Sequence, residues 1–287
     1  NNKMLLDIFN VGFIGSLVKG LSRTLSDMYY DSKFFNFTEM SEPRGLDFST
    51  DGSYMYICGQ TNNKIYQYEL STPWDVSTAS YTSNYFDINA QETDVTGVKL
   101  KPDGTKMYII GDQYEDITQY SLSTAWDVST ASYDSKTLNT SSQVTGASAL
   151  FFNTDGTIFY AVDNYPTNAV YQYTLTTAWD VSTGSYASKS LTLEPLGTDG
   201  NPQAISITSD GKALIMLDNV SDALYQYTLG TAWDVSTGSY DSDSFSTTSQ
   251  TTDARGMAGN SSLSLLYLCS KNGTKVYQYV LPSYVEE

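Results

Sequence analysis

The residues of this sequence that could do chemistry are mainly carboxylates. The 287 residues include 32 Asp and Glu, two Cys and no His, so the commonest general base and the commonest metal ligand are both missing. Four Asp residues stand before a Gly at equivalent positions of the repeats and could contribute to calcium binding: Asp51, Asp103, Asp155 and Asp210. The Asp-x-Asp-x-Asp-Gly spacing of a calcium loop is absent, so we interpret all four as turn residues. The sequence therefore predicts neither a metal site nor a cofactor.

Four Trp residues could stack on sugar rings: Trp74, Trp126, Trp179 and Trp233. Each opens a Trp-Asp-Val-Ser-Thr block. A turn that recurs in every repeat needs the same residues. We therefore interpret each Trp as packing against its own repeat, while the Asp accepts hydrogen bonds from the amides that follow. A sugar pocket in every repeat is the alternative, which would make the chain a multivalent glycan-binding lectin.

Charge and cysteine usage narrow the range of partners. The net charge of −17 opposes binding to nucleic acid, so no nucleic-acid partner is expected. The apolar stretch 4–18 is too short and too interrupted to span a membrane. Cys58 and Cys269 stand at equivalent positions of the repeats, where the other repeats carry Ile110, Val162 and Leu217. This pattern predicts two free, buried thiols.

The Trp blocks belong to an internal repeat, which decides the architecture. Their spacings are 52, 53 and 54 residues, and each repeat also contains a Tyr-Gln-Tyr motif or a near variant. In the second repeat, hydrophobic patterning and turn residues predict four strands. These strands are Gly97–Lys101, Lys106–Ile110, Ile117–Leu122 and Asp134–Leu138. Four strands in roughly 50 residues are typical of one blade of a β-propeller.

The two ends of the chain predict how the propeller closes. Tyr30-Asp31-Ser32-Lys33 matches the start of the fourth strand at Tyr133–Lys136, whereas the fifth repeat has no fourth strand after Leu281. The strand at 33–37 should therefore complete the last blade and remove a free sheet edge. We predict an all-β, five-bladed β-propeller of four-stranded blades over residues 29–287. Residues 1–28, with apolar side chains at helical spacing, are predicted to form an N-terminal attachment segment.

These repeats resemble the propeller repeats of the broad YVTN and lactonase-like superfamily. The block WDVSTASYDS at Trp126–Ser135 is also similar to repeats in proteins of marine bacteria and phages, several of them virion or tail components. The resemblance spans residues 29–287. It implies a propeller fold and a virion or tail role, although propellers host enzymes, lectins and scaffolds alike.

The loops on the two faces of such a propeller should differ in use. The repeated Asp-Gly and Trp loops lie on one face, and the loops of the opposite face differ in every blade. Rigid scaffolds place recognition on variable loops. The predicted ligand contacts are therefore on that opposite face, at Tyr114, Asn164, Tyr165, Asn219 and Asn272.

Catalysis finds little support in the innermost strands. Their equivalent positions hold a single acid, in the series Asp47, Lys99, Phe151, Ser206 and Ala258, so no catalytic residue is predicted. Asp47 and Lys99 should pair near the axis. We predict a non-enzymatic binding or display module, as a viral or phage structural or receptor-binding protein at a virion or extracellular surface. Residues 1–28 would attach it, and a host-surface glycan or protein would be its ligand. The alternatives are the lectin and a metal-dependent lactonase or hydrolase.

Overall fold

The computed structural model describes residues 24–196 and 199–282, which form five antiparallel sheets of four strands each. Blade 1 contains β2 (Pro43–Phe48), β3 (Tyr54–Gly59), β4 (Lys64–Leu70) and β5 (Ala79–Asp87). Blade 2 contains β6 (Val95–Leu100), β7 (Lys106–Gly111), β8 (Asp116–Leu122) and β9 (Ala131–Asn139). Blade 3 contains β10 (Ala147–Phe152), β11 (Ile158–Asp163), β12 (Ala169–Leu175) and β13 (Gly184–Thr192). Blade 4 contains β14 (Pro202–Ile207), β15 (Ala213–Asp218), β16 (Ala223–Leu229) and β17 (Gly238–Ser246).

Blade 5 confirms the predicted closure. It contains β18 (Ala254–Gly259), β19 (Leu265–Ser270), β20 (Lys275–Val280) and, as its outermost strand, the N-terminal β1 (Tyr29–Asn36). β1 runs antiparallel to β20 with Phe34 opposite Tyr277. The outermost strands are longer than predicted because each carries an irregularity in its register. In β9 it leaves Asp134 and Ser135 without partners in β8.

The innermost strands of the five blades surround a narrow central channel. β2, β6, β10, β14 and β18 contact one another in turn around it. Glycine permits this close approach, since a Cβ at Gly45 would lie 2.9 Å from the Cα of Gly97 on the next blade. The space that these strands line has a volume of only about 20 Å³, too small for an organic ligand. Near the axis, Lys99 Nζ lies 2.8 Å from Asp47 Oδ1, which confirms the predicted pair.

Neighbouring blades are joined by a set of contacts that we call the inter-blade clasp. Between blades 1 and 2, Tyr56 Oη donates to the Trp126 carbonyl oxygen at 2.8 Å, and the Val128 amide donates to Gln67 Oε1 at 3.0 Å. The Asp127 side chain accepts from the Ser129 amide, which is the predicted capping role. The same three kinds of contact recur between blades 2 and 3, 3 and 4, and 5 and 1.

The interface between blades 4 and 5 is built differently, because the N-terminal segment supplies the last loop. Leu25, fully buried in a 3₁₀ turn at Leu25–Asp27, takes the place of the Val. Its amide and that of Ser26 donate to Asp243 of blade 4. Ile215 replaces the clasp Tyr, and Leu263 stands where the other blades have the turn Gly, with a positive φ of 51°.

Three further expectations concern the thiols, the membrane and the N-terminus. Cys58 and Cys269 are free and buried, as predicted. Within residues 24–196 and 199–282, no helix is long and apolar enough to cross a membrane. Most of the predicted attachment segment lies outside the described residues. Its last residues, including Leu25 and Met28, belong to the core between blades 4 and 5.

The packing of each Trp over its turn can be tested with two glycines. A side chain at Gly104 would collide with the Trp126 indole, whereas Gly273 has only the Lys275 side chain nearby, at 3.6 Å. Both glycines have positive φ, at 71° and 83°. We expect Gly273→Ala to cost about 1 kcal/mol, from backbone strain alone, and Gly104→Ala about 3 kcal/mol, because overpacking adds to the strain. Urea denaturation measures both, and equal losses would contradict the packing role of Trp126.

The contribution of β1 can be separated from that of the residues before it. A chain beginning at Glu39 lacks β1 and exposes the edge of β20, so it should aggregate. A chain beginning at Thr24 retains β1 and should sediment like the full-length protein. If the chain beginning at Glu39 stays monodisperse with an unchanged melting temperature, β1 does not close the ring.

Candidate active site at the channel mouth

Five polar side chains surround the channel where the innermost strands begin, and we call this ring the channel mouth. Each innermost strand contributes its second residue: Arg44, Thr96, Ser148, Gln203 and Arg255. Four of these residues line the axial space together with Lys99. The mouth opens on the face of the variable loops, opposite the Trp blocks.

Two guanidinium groups on the neighbouring blades 1 and 5 are close enough for their charges to interact. Arg44 donates through Nε to Gln60 Oε1 at 2.8 Å, and Arg255 pairs with Asp253. The pKa of Arg44 is lowered, chiefly by burial and next by the positive charge of Arg255. Two cations held together in this way favour an anion, or an oxygen that gains negative charge during a reaction.

A pair of carboxylates lies beside the guanidinium groups on blade 2. The Asp112 amide donates to the Asp94 carbonyl oxygen at 2.9 Å. Asp112 lies on the exposed rim, but partial loss of solvent around its carboxyl and then the charge of Asp94 raise its pKa to about 6. Burial also raises the pKa of Asp94, against the opposing effect of Arg44. A carboxylate with a pKa near 6 suits general-base catalysis around neutral pH.

Asp94 shows a second sign of an unusual environment. Its Oδ1 is buried and has no hydrogen-bond partner among the described residues. An ionised carboxylate oxygen without a donor is costly, which agrees with the raised pKa of this group. The negative charge of Asp94 in turn contributes to the raised pKa of Asp112, after the larger effect of burial.

The five predicted binding residues lie on the same face as the mouth but farther from the axis. The Asn164 and Asn219 amides bond to the strand-entry residues Gly146 and Asn201, one step outside the ring. Tyr114 is 50% exposed and Tyr165 is 71% exposed, at the tips of their loops. The Asn272 amide nitrogen donates to Thr252 Oγ1 at 3.0 Å. Ligand contact by these five residues stays a prediction.

The sequence reading missed Arg44, Arg255, Asp94 and Asp112. A regular strand turns alternate residues to one face, so Asp47 on the channel side would place Arg44 on the other side. The register of every innermost strand shifts near its start, as between Val95 and Gly97 in β6. This bulge brings residues three apart to the same channel. The available signal was an Arg at equivalent positions of two repeats.

Metal ligation is a separate question for this site. Over residues 24–196 and 199–282, no group of three or more Cys, Asp or Glu side chains is arranged to hold a metal ion. The Asp-Gly residues bond within their own turns, as Asp103 does in accepting from the Thr105 amide at 3.0 Å.

Comparison with known proteins places the fold. No protein-family model and no curated protein matches the chain. The β-propeller domain of Cps50 (Swd1) from Myceliophteria thermophila has a TM-score of 0.52 at 8% identity, covering 87% of this chain and 100% of that one. The periplasmic gluconolactonase PpgL of Pseudomonas aeruginosa has a TM-score of 0.49 at 14% identity, covering 84% and 70%. A candidate 6-phosphogluconolactonase of Bacteroides uniformis has a TM-score of 0.49 at 15% identity, covering 71% and 55%. The chain thus spans little more than half of the Bacteroides protein.

These comparisons correct the functional prediction. The non-enzymatic virion or surface display module is wrong, because two of these three structures carry lactonase names and none is a virion component. The prediction that the chain is not an enzyme is corrected with it. At these identities the likeness shows the fold alone, so the activity has to be argued from the residues at the mouth.

The coupling of the two carboxylates at the mouth can be measured directly. Asp94→Asn removes a negative charge, so the pKa of Asp112 should fall, whereas Arg44→Gln removes a positive charge and should raise it. Carboxyl-carbon NMR titration reports both changes. Asp155→Asn, in a turn on the opposite face, is the control and should leave Asp112 unchanged. If the pKa of Asp112 is the same in both variants as in the wild-type protein, Asp112 does not interact with Asp94 or Arg44.

Proposed function

We propose that this chain is a hydrolase that opens a small lactone or ester at the channel mouth. The observation that carries the proposal is the guanidinium pair Arg44–Arg255 beside the carboxylate pair Asp94–Asp112. Hydrolysis of a lactone needs a base for water and a positive environment for the carbonyl oxygen. The ring at the mouth supplies the positive groups, and Asp112 on a loop of blade 2 outside the ring supplies the base.

The residues assign a role to each group in the reaction. Asp112 accepts a proton from a water molecule whose oxygen attacks the carbonyl carbon. The carbonyl oxygen gains negative charge, which Arg44 and Arg255 stabilise. When the ring C–O bond breaks, the proton passes from Asp112 to the departing alcohol oxygen, and the product is a hydroxy acid. Burial and, next, the charge of the positioning residue Asp94 raise the pKa of Asp112 to about 6.

The surroundings of the mouth support a small substrate. The axial space behind the ring is too narrow to admit a ligand, so the reaction takes place at the surface of the mouth. The arginines are a local exception on a chain with a net charge of −17. The positive charge of the mouth therefore attracts an oxygen that gains negative charge, in contrast to the rest of the surface.

The sequence left two alternatives, a lectin and a metal-dependent lactonase or hydrolase. A hydrolase fits this site, with the side chains of the protein in the roles described above. The lectin would need exposed Trp faces, and each Trp packs against the turn Gly of its own blade.

Hydrolysis of glucono-δ-lactone, followed in a pH-stat above the spontaneous rate, tests the proposal. We expect Arg44→Gln and Arg255→Gln to lower kcat/KM on the order of 10²-fold, and Asp112→Asn by roughly 10²- to 10⁴-fold. The rate should rise with pH through about 6, as Asp112 loses its proton. In Asp94→Asn the rise should move to lower pH.

Lys101→Gln is the matched control, because Lys101 pairs with Asp103 on the opposite face. It should retain full activity and an unchanged pH profile. Absence of catalysed hydrolysis of δ-lactones and simple esters by the wild-type protein would refute the proposal. So would activity that survives all three substitutions at the mouth.

A further inference from the structure

We infer that Glu92 is a positioning residue of the proposed site, whose buried side chain holds the segment carrying Asp94 against the strand end that precedes Asp112. The inference rests on the proposed function and adds a residue to it. Glu92 is too deeply buried to touch a substrate, since only 2% of its surface is exposed. It would act through the two carboxylates, because the pKa of Asp112 depends on burial and on the charge of Asp94.

The carboxylate of Glu92 binds the backbone that carries Asp94. Its Oε1 accepts from the Thr93 amide at 2.8 Å and from the Asp94 amide at 2.7 Å. Burial raises the pKa of Glu92, and hydrogen bonds from the backbone of Asp94, Thr93 and Gln113 lower it. Gln113 follows Asp112 in the chain, so Glu92 also interacts with the loop that carries the base.

Glycine at position 111 makes room for this carboxylate. A Cβ on Gly111 would lie 2.1 Å from Glu92 Cδ and 2.3 Å from Glu92 Oε2. Gly111 is the last residue of β7, and the amide of Asp112 after it donates to the Asp94 carbonyl oxygen at 2.9 Å. The carboxyl group of Glu92 is therefore held between the end of β7 and the segment that enters β6.

Blade 3 shows that the entry of an innermost strand uses a buried carboxylate. Blades 3 and 4 carry an Asp in place of Gly111. In blade 3, Asp163 Oδ1 accepts from the amides of Thr145 and Gly146, both at 2.8 Å. In blade 2 the same acceptor comes from the opposite segment, as Glu92. The acid at the end of the second strand then lies one residue later, at Asp112, where the strand-entry amides do not occupy it.

Blade 1 shows the same packing without these hydrogen bonds. Met40 stands two residues before the strand-entry residue Glu42, as Glu92 stands two residues before Asp94. Met40 is 5% exposed, and its sulfur would lie 2.8 Å from a Cβ at Gly59. A long apolar side chain therefore fits over a Gly at this position. Met in place of Glu92 keeps the packing and removes the acceptor, whereas Gln keeps an acceptor oxygen and removes the charge.

Glu92→Met and Glu92→Gln test the inference by carboxyl-carbon NMR titration of Asp112 and by the pH dependence of glucono-δ-lactone hydrolysis. In Glu92→Met the Asp94 segment loses its acceptor, so water should reach Asp112 and the charge of Asp94 should recede. We expect the pKa of Asp112 to fall from about 6 toward the roughly 4 of an exposed Asp. We expect kcat to fall on the order of 10²-fold with little change in KM, because the base is misplaced. Glu92→Gln should keep both the pKa of Asp112 and kcat close to those of the wild-type protein.

Asp218→Ala is the matched control, because Asp218 Oδ1 accepts from the Asn201 amide at 2.6 Å at the corresponding place in blade 4. It removes a comparable buried acceptor far from Asp112. It should therefore leave the pKa of Asp112 and kcat unchanged, even where it lowers the melting temperature. A control that shifts the pKa of Asp112 as much as Glu92→Met does would reduce the effect to a general loss of stability and overturn the inference.

The NMR titration separates the inference from the proposed function. If the wild-type protein hydrolyses no lactone, the proposed function fails, but a pKa of Asp112 that falls in Glu92→Met alone still supports the positioning role. If lactones are hydrolysed and the pKa of Asp112 is the same in both variants as in the wild-type protein, the positioning role is wrong and the proposed function stands. Equal shifts in both variants would assign the effect to the charge of Glu92 instead of its hydrogen bonds, which also overturns the inference.

Discussion

The buried hydrogen bond between a Gln side chain of one blade and a Val amide of the next is the contact on which the ring depends. Each blade satisfies its strand hydrogen bonds internally, so the blades are joined by side-chain packing and by the clasp. Gln67, Gln119, Gln172 and Gln278 are almost fully buried, and each accepts from the Val amide of the following blade. Losing such a bond would leave a buried donor and acceptor unpaired, which costs more than the bond itself contributes.

The interface between blades 4 and 5 shows that the clasp works as a unit. Where the Trp block is absent from the end of the chain, the Tyr that would bond to it is Ile215, and the Gly that would lie beneath it is Leu263. The carboxylate that caps the turn also comes from the other blade. At the other interfaces the Asp of the Trp block caps its own turn, but here Asp243 of blade 4 accepts from the backbone of the 3₁₀ turn. The amides of the turn are thus satisfied by the neighbouring blade instead of by the turn itself.

The sequence was sufficient for the features that repeat. Its period predicts five blades, the unmatched ends predict the closing strand, and equivalent positions predict the Asp47–Lys99 pair. The mouth could not be predicted in the same way, because it depends on a bulge that no residue pattern announces. Arg44 and Arg255 are two residues of an otherwise neutral series, separated by most of the chain. Only ring closure brings blades 1 and 5 together.

The failure of the functional prediction has the same physical origin. The residues that made the sequence recognisable are those of the clasp, and they are alike because every interface has the same task. Residues that set a reaction are instead unlike from blade to blade, because a substrate has no fivefold symmetry. The pKa of Asp112 illustrates this dependence on neighbours, since burial and then Asp94 on its own blade raise it, and Arg44 on the adjacent blade lowers it. The clasp holds those two blades at a fixed distance. The repeated contacts on the Trp-block face therefore influence the pKa of a carboxylate on the opposite face.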